Sequence, residues 1–113
     1  GESLGQRTYW KDLVTLDLSG TAVKDSALSD AAELKSLRIL DLSGTKITDA
    51  GLAHLKGLEH LTELRLAGTA VTDAGLKHLA EIKSLRKLNL NKTKIGKEAL
   101  KAFTEKHPDV ALL

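Results

Sequence analysis

His54 and His78 stand 24 residues apart, as do Asp17 and Asp41. If that interval returns the chain to the same place, two imidazoles stack as possible metal donors and two carboxylates stack as a possible acid–base pair. Neither constellation is completed. A zinc site needs further ligands, none stands at usable spacing, and Asp30, one interval before His54, is a helix away, so the pair reads as exposed helix histidines and no metal is expected. The aspartate pair falls on an open sheet, as argued below, which does not exclude water. The chain has no cysteine, which removes thiolate metal sites, disulfides and cysteine nucleophiles. Its serines and threonines fall at recurring positions, and no glycine loop of phosphate-binding form occurs. No catalytic residue and no cofactor are assigned, and an enzyme is not expected.

What must position these residues follows from the composition and the period. The chain has 113 residues, 42% of them hydrophobic and 28% charged, which suits a single folded domain. Aromatic content of 3% leaves little for a wide aromatic pocket, so leucine must carry the core. No apolar run approaches the roughly 18 residues that cross a bilayer, and membrane insertion is not expected.

Leucines recur every 24 residues: Leu13, Leu37, Leu61, Leu85; Leu16, Leu40, Leu64, Leu88, Leu112; Leu18, Leu42, Leu66, Leu90; Leu28, Leu52, Leu76, Leu100. Residues 37–60 and 61–84 share 12 of 24 positions without a gap. Within a unit, leucines two apart (Leu40, Leu42) share one face of a strand, and leucines three apart (Leu52, Leu55, Leu58) form a stripe on a helix. Gly20, Gly44 and Gly68 follow the strands, where the chain must turn with positive φ; Lys92 breaks that series at a cost. Asp25, Asp49 and Asp73 stand at the helix starts, where each is expected to accept the unpaired amides of its own helix. Thr21, Thr45, Thr69 and Thr93 are expected to bond the backbone of the next coil.

One strand and one helix cannot enclose a core, but stacked copies can. The expected fold is α/β: a short right-handed solenoid with a parallel concave sheet and convex helices. One solenoid domain is expected over 1–113, made of an N-terminal half-repeat cap (1–12, closed by Trp10), repeats at 13–36, 37–60, 61–84 and 85–108, and a C-terminal strand cap (109–113). The pattern L-x-x-L-x-L-x-x-T-x-I/V-T-D-A-G-L, intact at Leu37–Leu52 and Leu61–Leu76, resembles the leucine-rich repeat superfamily. The T-D-A-G-L segment is similar to its cysteine-containing subclass, with threonine at the usual cysteine or asparagine position, as in bacterial members. Such repeats are scaffolds for many unrelated partners, so the resemblance implies a fold more than a function.

Residues alternating with the buried leucines point out of the concave sheet. The candidate partner-binding set is Thr15, Asp17, Ile39, Asp41, Glu63, Arg65, Lys87 and Asn89, with Ser19, Ser43, Ala67 and Asn91 beyond it. One column runs Asp17, Asp41, Arg65, Asn89, from acidic to basic. That suits a protein or peptide partner with polar or dipolar character, against the plainer alternative of a solvated mixed-charge face. The last repeat carries a net charge of +5. It reads first as a lysine-rich soluble cap, because no aromatic residues are interleaved for base stacking and no nucleic acid is expected. A monomer is expected. The structural alternative is a segment of a longer repeat protein that assembles by pairing of an exposed edge strand.

Overall fold

The computed structural model describes residues 13–113. The half-repeat expected at 1–12, with its Trp10 lid, lies outside the described residues. Five short strands follow one another in a single sheet: β1 (Thr15–Asp17), β2 (Ile39–Asp41), β3 (Glu63–Arg65), β4 (Lys87–Asn89) and β5 (Ala111–Leu112). Every neighbouring pair is parallel, and Leu16, Leu40, Leu64, Leu88 and Leu112 lie side by side in register. The ladder runs on past the strand ends, since the amides of Gly20, Gly44 and Gly68 donate to Ser43, Ala67 and Asn91 one coil further on at 2.8–2.9 Å.

Between the strands the chain returns through α1 (Asp25–Ala31), α2 (Asp49–Leu52), α3 (Gly75–Ala80) and α4 (Lys97–Lys106). α2 tightens into a 3-10 turn over Ala53–Gly57. The stripe Leu52, Leu55, Leu58 therefore runs from a short α-helix through a 3-10 turn, and its strict spacing of three matches the three residues per turn of that helix. The core fills the space between sheet and helices with Leu37, Leu40 and Leu42 and their equivalents one coil on, all buried. Each such leucine contributes on the order of 1.5–3 kcal/mol through burial.

The turn after each strand has the expected conformation. Gly20, Gly44 and Gly68 have φ of +69° to +70°, and Lys92, at φ +60°, keeps the same geometry with a side chain attached. Two expectations for the coil are corrected. The threonine column bonds within its own coil: the hydroxyls of Thr21, Thr45, Thr69 and Thr93 donate to the carbonyls of Leu18, Leu42, Leu66 and Leu90 at 2.6–2.7 Å. The ladder already pairs the neighbouring coil's backbone there, so the hydroxyl closes its local turn instead.

The aspartates at the helix starts do the opposite. Asp25 accepts from the Thr48 amide at 2.7 Å and from the Thr48 hydroxyl; Asp49 does the same with Thr72, and Asp73 accepts from the Gly96 amide at 2.7 Å. No side chain caps α1 or α2. A carboxylate at one helix start lies beside the unpaired amide that precedes the next helix, and satisfying it ties the coils together. The glycine of the T-D-A-G-L segment belongs to the same device. A methyl at Gly51 would overlap the Asp25 carboxylate, and one at Gly75 would come within 2.5 Å of Asp49 Oδ1.

Candidate functional site

With all five strands parallel and in register, the outward residues form columns about 4.8 Å apart from strand to strand. The first column is Thr15, Ile39, Glu63, Lys87 and Ala111; the second is Asp17, Asp41, Arg65 and Asn89. The structure thus brings the eight predicted residues onto one face, but it does not leave them equally available. Thr15, Asp17, Arg65 and Lys87 are exposed, whereas Ile39, Asp41 and Asn89 are half-buried. Glu63 is covered, its side chain only 12% exposed, because Arg65 two residues on lies against it with Nε 2.6 Å from Oε2. Residues i and i+2 share a strand face, so this pair forms within β3 and not with a neighbouring strand.

Arg65 is therefore engaged on one edge of its guanidinium. The hydrogen bond from Nε to Glu63 and the charge of Glu63 raise its pKa, with Asp41 and Asp17 adding smaller contributions. Asp17 is held below the usual carboxylate range, chiefly by the Ser19 hydroxyl, then by the Ser19 amide, with Arg65 contributing less.

Sequence reasoning placed these side chains on the face but missed how they are oriented there. Asp17 Oδ1 accepts from the Ser19 amide at 2.9 Å and Asp41 Oδ1 from the Ser43 amide at 3.0 Å. Asn89 Oδ1 accepts from the Asn91 amide at 3.0 Å. These are Asx turns, in which a short side chain bonds the backbone two residues on, and the signal was present as D-L-S, D-L-S and N-L-N. In each aspartate one oxygen is fixed by the backbone, while Oδ2 has no partner among the described residues. The face can thus present two oriented carboxylates on β1 and β2, a charge-paired divider on β3 and an exposed ammonium, that of Lys87, on β4.

The other candidates lie elsewhere. His54 is exposed on the 3-10 turn and His78 is half-buried on α3. Among the described residues no group of three or more histidines and carboxylates is placed to hold a metal. Lys92, Lys94, Lys97, Lys101 and Lys106 are exposed along the last turn and α4, so five of the seven cations of the fourth repeat lie beyond β4 and its Lys87. Among the described residues no helix is long and apolar enough to cross a membrane.

Residues 35–95 match the family model for the leucine rich repeat. No curated protein sequence matches the chain significantly. Among solved structures, a leucine-rich repeat protein of Leptospira interrogans superposes with a TM-score of 0.68 at 22% identity, over 90% of this chain and 25% of that one. A plant peptide hormone receptor, RGFR1 in complex with RGF2, gives 0.57 at 14% identity over 91% of this chain and 17% of the receptor. An internalin of Listeria monocytogenes gives 0.55 at 17% identity, over 90% and 34%. The chain spans about a quarter of the length of the Leptospira protein, and these likenesses are likenesses of fold.

Proposed function

Because this chain belongs to the leucine-rich repeat family, we propose that it is a non-catalytic recognition module that binds a protein or peptide partner across its concave strands. The observation that carries the reading is the pair of backbone-oriented carboxylates, Asp17 and Asp41, facing an uncovered sheet with Lys87 beyond the Arg65–Glu63 pair. Held carboxylates lose little side-chain entropy on binding, which favours their use in specific recognition. Ile39, two residues before Asp41 on β2, offers an apolar contact beside them. The plant receptor of the same fold is a peptide hormone receptor in complex with RGF2, which is consistent with this use of the scaffold. We place the chain in the bacterial-type, cysteine-containing subclass with threonine substituted, on the strength of its T-D-A-G-L segments. The repeat boundaries follow the 24-residue register, at 13–36, 37–60, 61–84 and 85–108.

The test is a pull-down from the source cell with wild type and with Asp41→Lys combined with Arg65→Glu. Loss of a specifically recovered partner, with an unchanged circular dichroism spectrum, is the expected result. Unchanged recovery removes the concave face from consideration. A second reading, assembly through the sheet edge, is favoured by one observation: Leu112 stands in the core register of Leu88 yet is 40% exposed, beside Leu113 at 47%. Light scattering on the eluting peak separates the two, since a strictly monomeric chain excludes edge assembly.

A further inference from the structure

The fourth coil abandons the device that draws the first three together. At the positions of Thr72, Asp73 and Gly75 it has Gly96, Lys97 and Ala99. Asp73 keeps only the bond to the Gly96 amide, because no threonine hydroxyl is there to take its second oxygen. Ala99 replaces the glycine at which, in the two preceding coils, a Cβ would meet the previous coil's aspartate. A hollow of about 290 Å³ lies between α3 and α4 on the helical side.

Its floor is apolar: Leu76 and Ala80 from α3, Ala99, Ala102 and Phe103 from α4. Ala102 takes the position of His54 and His78, which lowers the wall by an imidazole. Its rim is cationic. Lys77 and Lys106 border it, with His107 packed on Phe103 at a ring separation of 4.8 Å. Lys106 occupies the position at which Leu34, Leu58 and Ile82 are buried, so an ammonium stands where the other coils are sealed. Neither lysine has a carboxylate within salt-bridge distance among the described residues. The one acidic lining group, Asp73, has one oxygen bonded to the Gly96 amide and is outnumbered by the two lysines.

We propose that this hollow binds an acidic segment of a partner protein that inserts a single aliphatic or aromatic side chain, with carboxylates on either side meeting Lys77 and Lys106. The volume lies just below the roughly 300–1,000 Å³ of small-molecule pockets, which suits one large side chain and not a whole helix. The complementarity is of charge around an apolar anchor, the arrangement of interface cores ringed by polar groups. Phe103 is buried in the floor with the His107 ring packed on it, so no row of open rings is presented for stacking nucleic-acid bases.

The experiment is methyl and amide NMR of the full chain, titrated with a synthetic dodecapeptide of glutamate and serine with one central phenylalanine. Saturable shifts at the methyls of Ala80, Ala99 and Ala102 are expected. The apparent affinity should fall at least tenfold when the peptide phenylalanine is replaced by serine, and again with Lys77→Glu combined with Lys106→Glu. Both lysines are exposed, so that variant should keep its fold, which its own spectrum verifies. Ala102→Trp, which fills the hollow, should abolish the shifts at Ala80 and Ala99 while leaving Asp17 and Asp41 unmoved. Shifts that persist without the peptide phenylalanine, or that survive Ala102→Trp, overturn the proposal. So does a protein that ignores the peptide but shows the same methyl shifts with dodecanoate or with phosphatidylglycerol vesicles.

Discussion

Two columns of aspartate run along this solenoid with the same 24-residue spacing and opposite roles. On the helical side, Asp25 and Asp49 place both carboxylate oxygens on the next coil's threonine, and Asp73 reaches the amide of Gly96. On the strand side, Asp17 and Asp41 bond only their own turn, and Oδ2 of each has no partner among the described residues. Identical chemistry ties coil to coil in one place and closes a local turn in the other. What differs is whether an unpaired backbone amide of the neighbouring coil lies within reach. On the sheet the strand ladder has already paired those amides; at the helix starts it has ended.

The core beneath both columns sets the scale. Leu64→Ala should cost about 2–5 kcal/mol in urea unfolding, because a wholly buried side chain would leave a cavity between coils; a loss under about 1 kcal/mol would contradict its internal position. The helical column comes next. Asp49→Ala strands the Thr72 amide and hydroxyl and should cost about 1–3 kcal/mol. Asp41→Ala should stay within about 0.5 kcal/mol, since it removes one local turn bond on an open face. Equal losses for the two would erase the distinction.

A double-mutant cycle sharpens it further. Gly51→Ala alone should destabilise by about 1–3 kcal/mol through overlap with Asp25, and much of that penalty should vanish in the Asp25→Ala background, because the three nearest heavy atoms are all Asp25's. Additive effects would show that the glycine serves something else. Smaller again, Lys92→Gly should stabilise the chain by about 0.5–1 kcal/mol in thermal unfolding, by relieving a side chain held at positive φ.

The smallest effect is one of pH. The folded-state pKa of Asp17 lies below its ordinary value of 3.8, so its turn contributes stability above that value and loses the contribution as pH falls through the folded pKa. The difference in unfolding midpoint between wild type and Asp17→Asn should therefore be constant near neutrality and shrink below pH 3.8.

The period of 24 was enough to place Leu40 beside Leu64 inside the coil, to align five parallel strands and to require positive φ at Gly44 and Gly68. A leucine every coil has only one way to avoid water, and that way fixes the register. It also identified the strand positions that face outward, because alternation along a strand is geometric. Hydrogen-bond destinations were decided only by the tertiary structure. Thr45 and Thr48 are three residues apart and both hydroxyl-bearing, yet one closes its own turn and the other bonds Asp25 in the preceding coil. Glu63 stands on the open face but is covered by Arg65. Such choices rest on differences of about an ångström in which acceptor a rotamer reaches, and a repeat pattern states which residues are neighbours without stating which of their atoms meet.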